Sequence, residues 1–222
     1  MATSSIAVRP APIVRPKYFL FGIVALMVGY VVFHNESFLW NRQDPSWQHY
    51  HPFRWWLLPH GLAGASALLL GPLQFSDRLR QRFTKFHRVV GRIYIFGALV
   101  AAPLGAYIQY FEERMGGPRS FSIAGLMDAI LLMGTTAIAF AFILNGKVQQ
   151  HRQWMTRSFA VALVFVEVRV IGGLTGWDQN PAIIETIVWS CLAFSLLSAD
   201  IVLQVQELLR TRPAARVQVA AR

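Results

Sequence analysis

The sequence predicts an all-α membrane protein, a polytopic bundle of six transmembrane helices with both termini cytoplasmic. Three observations carry that expectation. Only 14% of the 222 residues are charged and 55% are hydrophobic, with a mean hydropathy of +0.41, whereas a soluble domain has roughly a quarter of its residues charged. Six apolar stretches recur along the chain, each close to the about 20 residues that cross a hydrocarbon core of about 30 Å. The basic residues fall almost entirely on alternate connections, which orients the bundle.

The first stretch, Lys17 to Phe33, follows a basic lead-in and has the outline of a secretory signal. No small-residue cleavage site follows Phe33, and Met27, Tyr30 and Phe33 continue the apolar run, so it reads as a retained signal anchor. The second, Trp55 to Phe75, carries the small residues Gly64, Ala67 and Gly71, and Pro59 is expected to open its helix, where a missing N–H costs little. The third, Val89 to Phe111, places Gly97, Ala101 and Gly105 four apart and holds Pro103, which predicts a kink. Gly125 and Ala129 continue the small-residue pattern in the fourth, Ser122 to Leu144. Such stripes let helix backbones approach closely in lipid. The fifth stretch, Thr156 to Leu174, reads as one helix, and the sixth, Ala182 to Val205, contains the single cysteine, Cys191. One cysteine forms no internal disulfide, and no Cys pair has haem-attachment spacing, so any haem is held non-covalently. Residues 1–16 are expected to be a flexible cytoplasmic N-terminus, 17–209 the transmembrane domain and 210–222 a flexible basic tail.

A formal net charge of +10 in a soluble protein would suggest nucleic acid, but here its distribution argues for lipid. Arg78, Arg80, Arg82, Lys85, Arg88 and Arg92 cluster at one inner connection, and Lys147, Arg152 and Arg157 at the next. The opposite side has only Arg42, Arg54, Arg114 and Arg119. Short basic loops stay in the cytoplasm and face anionic headgroups. A multi-pass protein of a bacterial inner membrane is expected, with the lipid bilayer as partner and no nucleic acid. The outer loop from His34 to Trp56 holds Trp40, Trp47, Tyr50, Trp55 and Trp56, as an aromatic belt does. His49 and His51 with His34 or His60 offer imidazoles to zinc or copper, but a two-residue spacing without a fixed third ligand argues weakly for a site.

Two inner connections end in the same dipeptide, His87-Arg88 and His151-Arg152, each followed by another arginine, Arg92 or Arg157. This weak repeat of a helical hairpin predicts that the third and fifth helices start at equal depth. Two imidazoles level with each other on neighbouring helices are what one b-type haem requires, with Arg88, Arg92, Arg152 and Arg157 available to its propionates. The plain alternative is that both pairs touch lipid phosphates. His60 lies a full span away, roughly 20 to 25 Å from His87, and cannot share that haem.

Charges inside hydrocarbon are expensive and tend to face a partner or a cavity. Asp128 and Arg169 sit at similar depth, which predicts a salt bridge between them, with Glu167 and His60 in the same buried polar cluster. Three functional classes follow. An electron-transfer protein would use His87 and His151, with a quinone or another redox partner. A proton-coupled small-solute transporter would use Asp128, Glu167, Arg169 and His60. A structural or assembly protein would use neither set. The chain has no Gly-rich phosphate loop and no nucleophile elbow, which excludes kinase and hydrolase logic of the soluble kind.

Leu58-Pro59-His60-Gly61, Leu70-Gly71-Pro72-Leu73-Gln74-Phe75, His87-Arg88-Val89-Val90-Gly91-Arg92-Ile93-Tyr94 and His151-Arg152-Gln153-Trp154-Met155-Thr156-Arg157-Ser158 resemble an uncharacterised bacterial group of predicted integral membrane proteins classed as a domain of unknown function. The resemblance covers helices two to five and implies a multi-helix inner-membrane protein, without an activity. By architecture alone the arrangement is similar to membrane b-type cytochromes of the ferric-reductase kind. It departs from their pattern of four histidines and two haems.

Overall fold

Hydrocarbon offers no water to the backbone, so each apolar run satisfies its own N–H and C=O groups by coiling into a helix. The computed structural model describes the backbone of residues 16–219, and among these residues there is no strand. The N-terminus expected over 1–16 and the side chains of the tail expected over 210–222 lie outside the described residues, apart from the backbone of Pro16 and of 210–219. The elements are α1 (Pro16–His34), α2 (Pro45–Tyr50), α3 (Arg54–Gln74), α4 (Asp77–Arg82), α5 (Thr84–Arg114), α6 (Arg119–Leu144), α7 (Val148–Ala162), α8 (Val164–Thr175) and α9 (Pro181–Val219).

Five stretches are long and apolar enough to cross a membrane: Pro45–Gln74, Thr84–Arg114, Arg119–Leu144, Val148–Thr175 and Pro181–Leu209. The first expected span corresponds to α1, whose apolar part Phe21–His34 is shorter. The protein is therefore an all-α membrane bundle.

Local chemistry sets the helix ends. Asp44 caps α2, accepting from the Ser46 N–H at 2.9 Å with Pro45 following it. Its other oxygen accepts from the Ser37 hydroxyl at 2.6 Å, and these bonds, Ser37 first, hold the carboxyl below the usual carboxylate range. Ser76 caps α4 and Asn180 caps α9. Gly146 and Gly176 end α6 and α8 with φ of +70°, a left-handed conformation in which a Cβ is strained.

Three expectations are corrected. Pro59 does not open its helix. α3 begins at Arg54 and carries both Pro59 and Pro72 inside it, because a short helical turn at His51–Phe53 leads directly into it. The fifth span is not one helix but two. At Leu163 the N–H turns back to Ala160 at 3.1 Å instead of closing a full α-turn, and α8 then restarts with Glu167 N–H to the Leu163 carbonyl at 2.9 Å. No proline or glycine marks that break. Finally, helices extend beyond their apolar windows at the basic end, α5 to Thr84 and α7 to Val148, since polar residues continue a helix once it leaves the hydrocarbon.

α5 pairs with α3 and α6, and α6 pairs with α7, while α8 and α9 close the other side and α1 lies against α8. The central core is built from Ala98, Ala102, Ala129, Leu132, Ala139, Met155, Phe159 and Tyr94. Small residues permit this approach: a methyl at Gly97 would run into the Ser66 hydroxyl and come within 2.7 Å of the Ala63 carbonyl oxygen, and one at Gly71 would enter the Phe159 ring. Gly64 differs from the expected stripe, for a Cβ there meets open space.

At the centre Tyr94 is fully buried, and its hydroxyl lies 2.9 Å from the Ser158 hydroxyl, which lies 2.7 Å from that of Thr136. This chain joins α5, α7 and α6 at one height. Gly97→Ala should lower stability by about 1–3 kcal/mol through overpacking, whereas Gly64→Ala should not, as read by thermal unfolding in detergent; equal midpoints would refute the close approach of α3 and α5. Tyr94→Phe should cost about 1 kcal/mol, in line with hydrogen bonds between membrane helices. A midpoint unchanged from wild type would mean that the hydroxyl has no bond to lose.

Candidate functional site

His87 is the fourth residue of α5 and His151 the fourth of α7, so the two helices start in step, as the His-Arg repeat predicts. The Tyr94–Ser158 contact shows how their faces are aligned. Tyr94 follows His87 by seven residues and Ser158 follows His151 by seven. Seven residues are about two turns, with an angular drift of only about 20°. The two imidazoles are therefore carried on the sides of α5 and α7 that meet, about 10 Å further toward the helix N-termini.

The His151 Nδ1–H donates to the Ala139 carbonyl at 2.8 Å. A carbonyl only accepts, so this tautomer leaves Nε2 with its lone pair. The Nδ1 of His87 is buried and has no hydrogen-bond partner, and the two rings lie within electrostatic reach of each other, with Arg80 close by. A second orphan sits beside them. Gln74 Nε2 is buried and unpartnered, while its Oε1 is packed so close to Gly91 that a Cβ there would lie 3.0 Å away. Sequence reasoning gave Gln74 no role; its signal was its place in the Leu70–Phe75 motif at the end of the second apolar stretch.

Of the arginines assigned to this rim, Arg88, Arg92 and Arg152 are exposed. Arg157 is half-buried, bonded to Asp200 of α9 at 2.7 Å and lying over the Trp154 ring at 5.0 Å. Its charge ties α7 to α9.

The polar cluster expected nearer the other face separates into parts. Arg169 does not pair with Asp128. Its guanidinium is bonded to Glu36, beyond the end of α1. Glu167, two residues earlier on α8, points the other way and accepts from the Ser195 hydroxyl of α9 at 3.1 Å. Depth alone suggested the salt bridge; azimuth decides against it, because residues two apart on a helix face nearly opposite sides. Asp128 is 8% exposed, its Oδ1 has no partner, and Glu167 is within electrostatic reach. His60 sits apart, its Nδ1–H donating to the Ala101 carbonyl at 2.9 Å and its ring lying on Gly105. Between α1 and α3 His49 bonds Glu112 at 2.9 Å, and Arg54 donates to the His51 ring. Among the described residues no three of His, Cys, Asp and Glu gather where a metal ion could sit.

No curated protein and no solved structure matches the chain. A family model described as a predicted membrane protein does match, over residues 57–203. The matched region contains His60, His87, Asp128, His151, Glu167, Arg169 and Asp200, and excludes Glu36. Since it covers well over half of the chain, the protein belongs to that family of predicted membrane proteins, DUF2306.

Proposed function

We propose that the protein binds one non-covalent b-type haem between α5 and α7, which His87 and His151 would hold, and that it carries electrons within a bacterial inner membrane. The observation that carries this proposal is the shared register of the two histidines, each seven residues before one partner of the Tyr94–Ser158 hydrogen bond. Two imidazoles cannot close a tetrahedral metal site by themselves. They do suit an iron whose remaining four ligands come from a macrocycle.

Other features agree with this assignment. The bond from His151 Nδ1–H to a backbone carbonyl is the outer-shell contact that orients ligating histidines and raises their basicity. His87 Nδ1 and Gln74 Nε2 are buried polar atoms without hydrogen-bond partners, and a bound group is one thing that would account for them. Arg88, Arg92 and Arg152 at the rim supply cations for propionates or lipid phosphates. Haem would supply one-electron chemistry, and the chain's own residues would hold the imidazoles level and keep the ring nitrogens dry. A quinone or a membrane redox protein is the class of partner this chemistry needs. The basic connections support a cytoplasmic position for the termini and for the histidine end of the bundle, and with it α1 as a sixth crossing.

Detergent-purified, untagged protein should show a Soret band that is lost in His87→Ala and in His151→Ala and kept in His49→Ala. Colourless protein from cells supplied with haem precursor, or a band that survives both substitutions, would rule the proposal out.

A further inference from the structure

Asp128 of α6 and Glu167 of α8 occupy the same depth, on helices that touch through the Phe121 and Phe165 rings, 6.0 Å apart. Asp128 stands nine residues from the start of α6 and Glu167 eight before the end of α8, about 14 Å and 12 Å below the same face. In a hydrocarbon core of about 30 Å that is close to the midplane. Both carboxyls lack a cation. Arg169 is committed to Glu36 on the opposite side of α8, and Arg157 to Asp200. Among the titratable groups on the packed elements, Glu167 is the one within reach of Asp128, and Cys191 of α9 lies within reach of Glu167. α5 presents Gln109 beside Gly125, with Tyr94 engaged by Ser158, and α1 presents Tyr30 and His34 to Gly173.

An ionised carboxylate without a partner is unstable in so apolar a place, and two in electrostatic contact are less stable still. Asp128 Oδ1 has no hydrogen-bond partner in a residue that is 8% exposed, so one specific atom in the pair is left wanting a donor or a proton. A calcium or magnesium ion would need six or more oxygen ligands. The polar side chains at this level are the Ser195 hydroxyl bonded to Glu167 and the Asp128 carboxyl within electrostatic reach of it.

We propose that Asp128 and Glu167 form a proton-binding site at the middle of the membrane, Asp128 holding the proton and Glu167, anchored by Ser195, facing it. The break at Leu163 lies one turn before Glu167 and gives α8 an end of its own at this level. Discontinuous helices beside a midplane ionisable group are a recurrent arrangement for coupling ion movement to conformational change. The site is independent of the histidine pair and stands whether or not haem is bound.

Infrared spectroscopy of the full chain in lipid nanodiscs at neutral pH tests this. A protonated-carboxyl band that shifts in D₂O is expected in the wild type. It should vanish in Asp128→Asn, and it should change position but persist in Glu167→Gln, which keeps the neighbour polar and removes its charge. Should Asp128→Asn fail to fold, the Glu167→Gln spectrum still decides. Absence of any such band in the wild type, a band unaltered by both substitutions, or its removal by added sodium at fixed pH would each overturn the proposal, the last in favour of a metal-cation site.

Discussion

The hydrogen-bonded chain Tyr94–Ser158–Thr136 is the constraint on which the remaining geometry depends. Lipid tails are as apolar as leucine, so burial alone cannot choose how one membrane helix slides or rotates against another. Short polar contacts and glycine-sized gaps make that choice. This chain locks α5, α6 and α7 at one height, and the alignment of His87 with His151 two turns away is a consequence of it. The Gly97 and Gly71 contacts bring α3 up to the same layer, which places Gln74 beside Gly91.

Two polar layers result, and the chain keeps them chemically distinct. Near the basic end lie two imidazoles with exposed arginines around them. Near the midplane lie two acids whose nearest cations are bound elsewhere. α7 and α8 join the layers: His151 and Ser158 belong to the first helix, Glu167 to the second, and Leu163 separates them. A movement at that break would leave the histidine register in place while shifting the acid, because Ser158 and the Arg157–Asp200 pair both anchor α7 ahead of it.

The end of the bundle opposite the basic connections shows a third use of charge. Arg169 with Glu36 ties α8 to the segment after α1, and His49 with Glu112 ties α2 to the end of α5. The His49–Glu112 pair is partly exposed, so it contributes modestly to stability. Both pairs settle where the loop lies.

Much of this protein could be known from its residues alone. The helical class and five of the crossings follow from lipid's demand for a fixed length of apolar chain. The equal placement of His87 and His151 follows from two hairpins whose second helices start in the same way. What had to come from the tertiary structure is rotation about the helix axis and the company each polar group keeps. Residue spacing gave Asp128 and Arg169 matching depths, yet Arg169 faces Glu36 because α8 lies against α1 on that side. The break at Leu163 has no proline or glycine to announce it, and Pro59 sits inside α3 because the preceding turn lets the helix begin early. Depth is written into a linear pattern of hydropathy; azimuth is decided only when neighbouring helices pack.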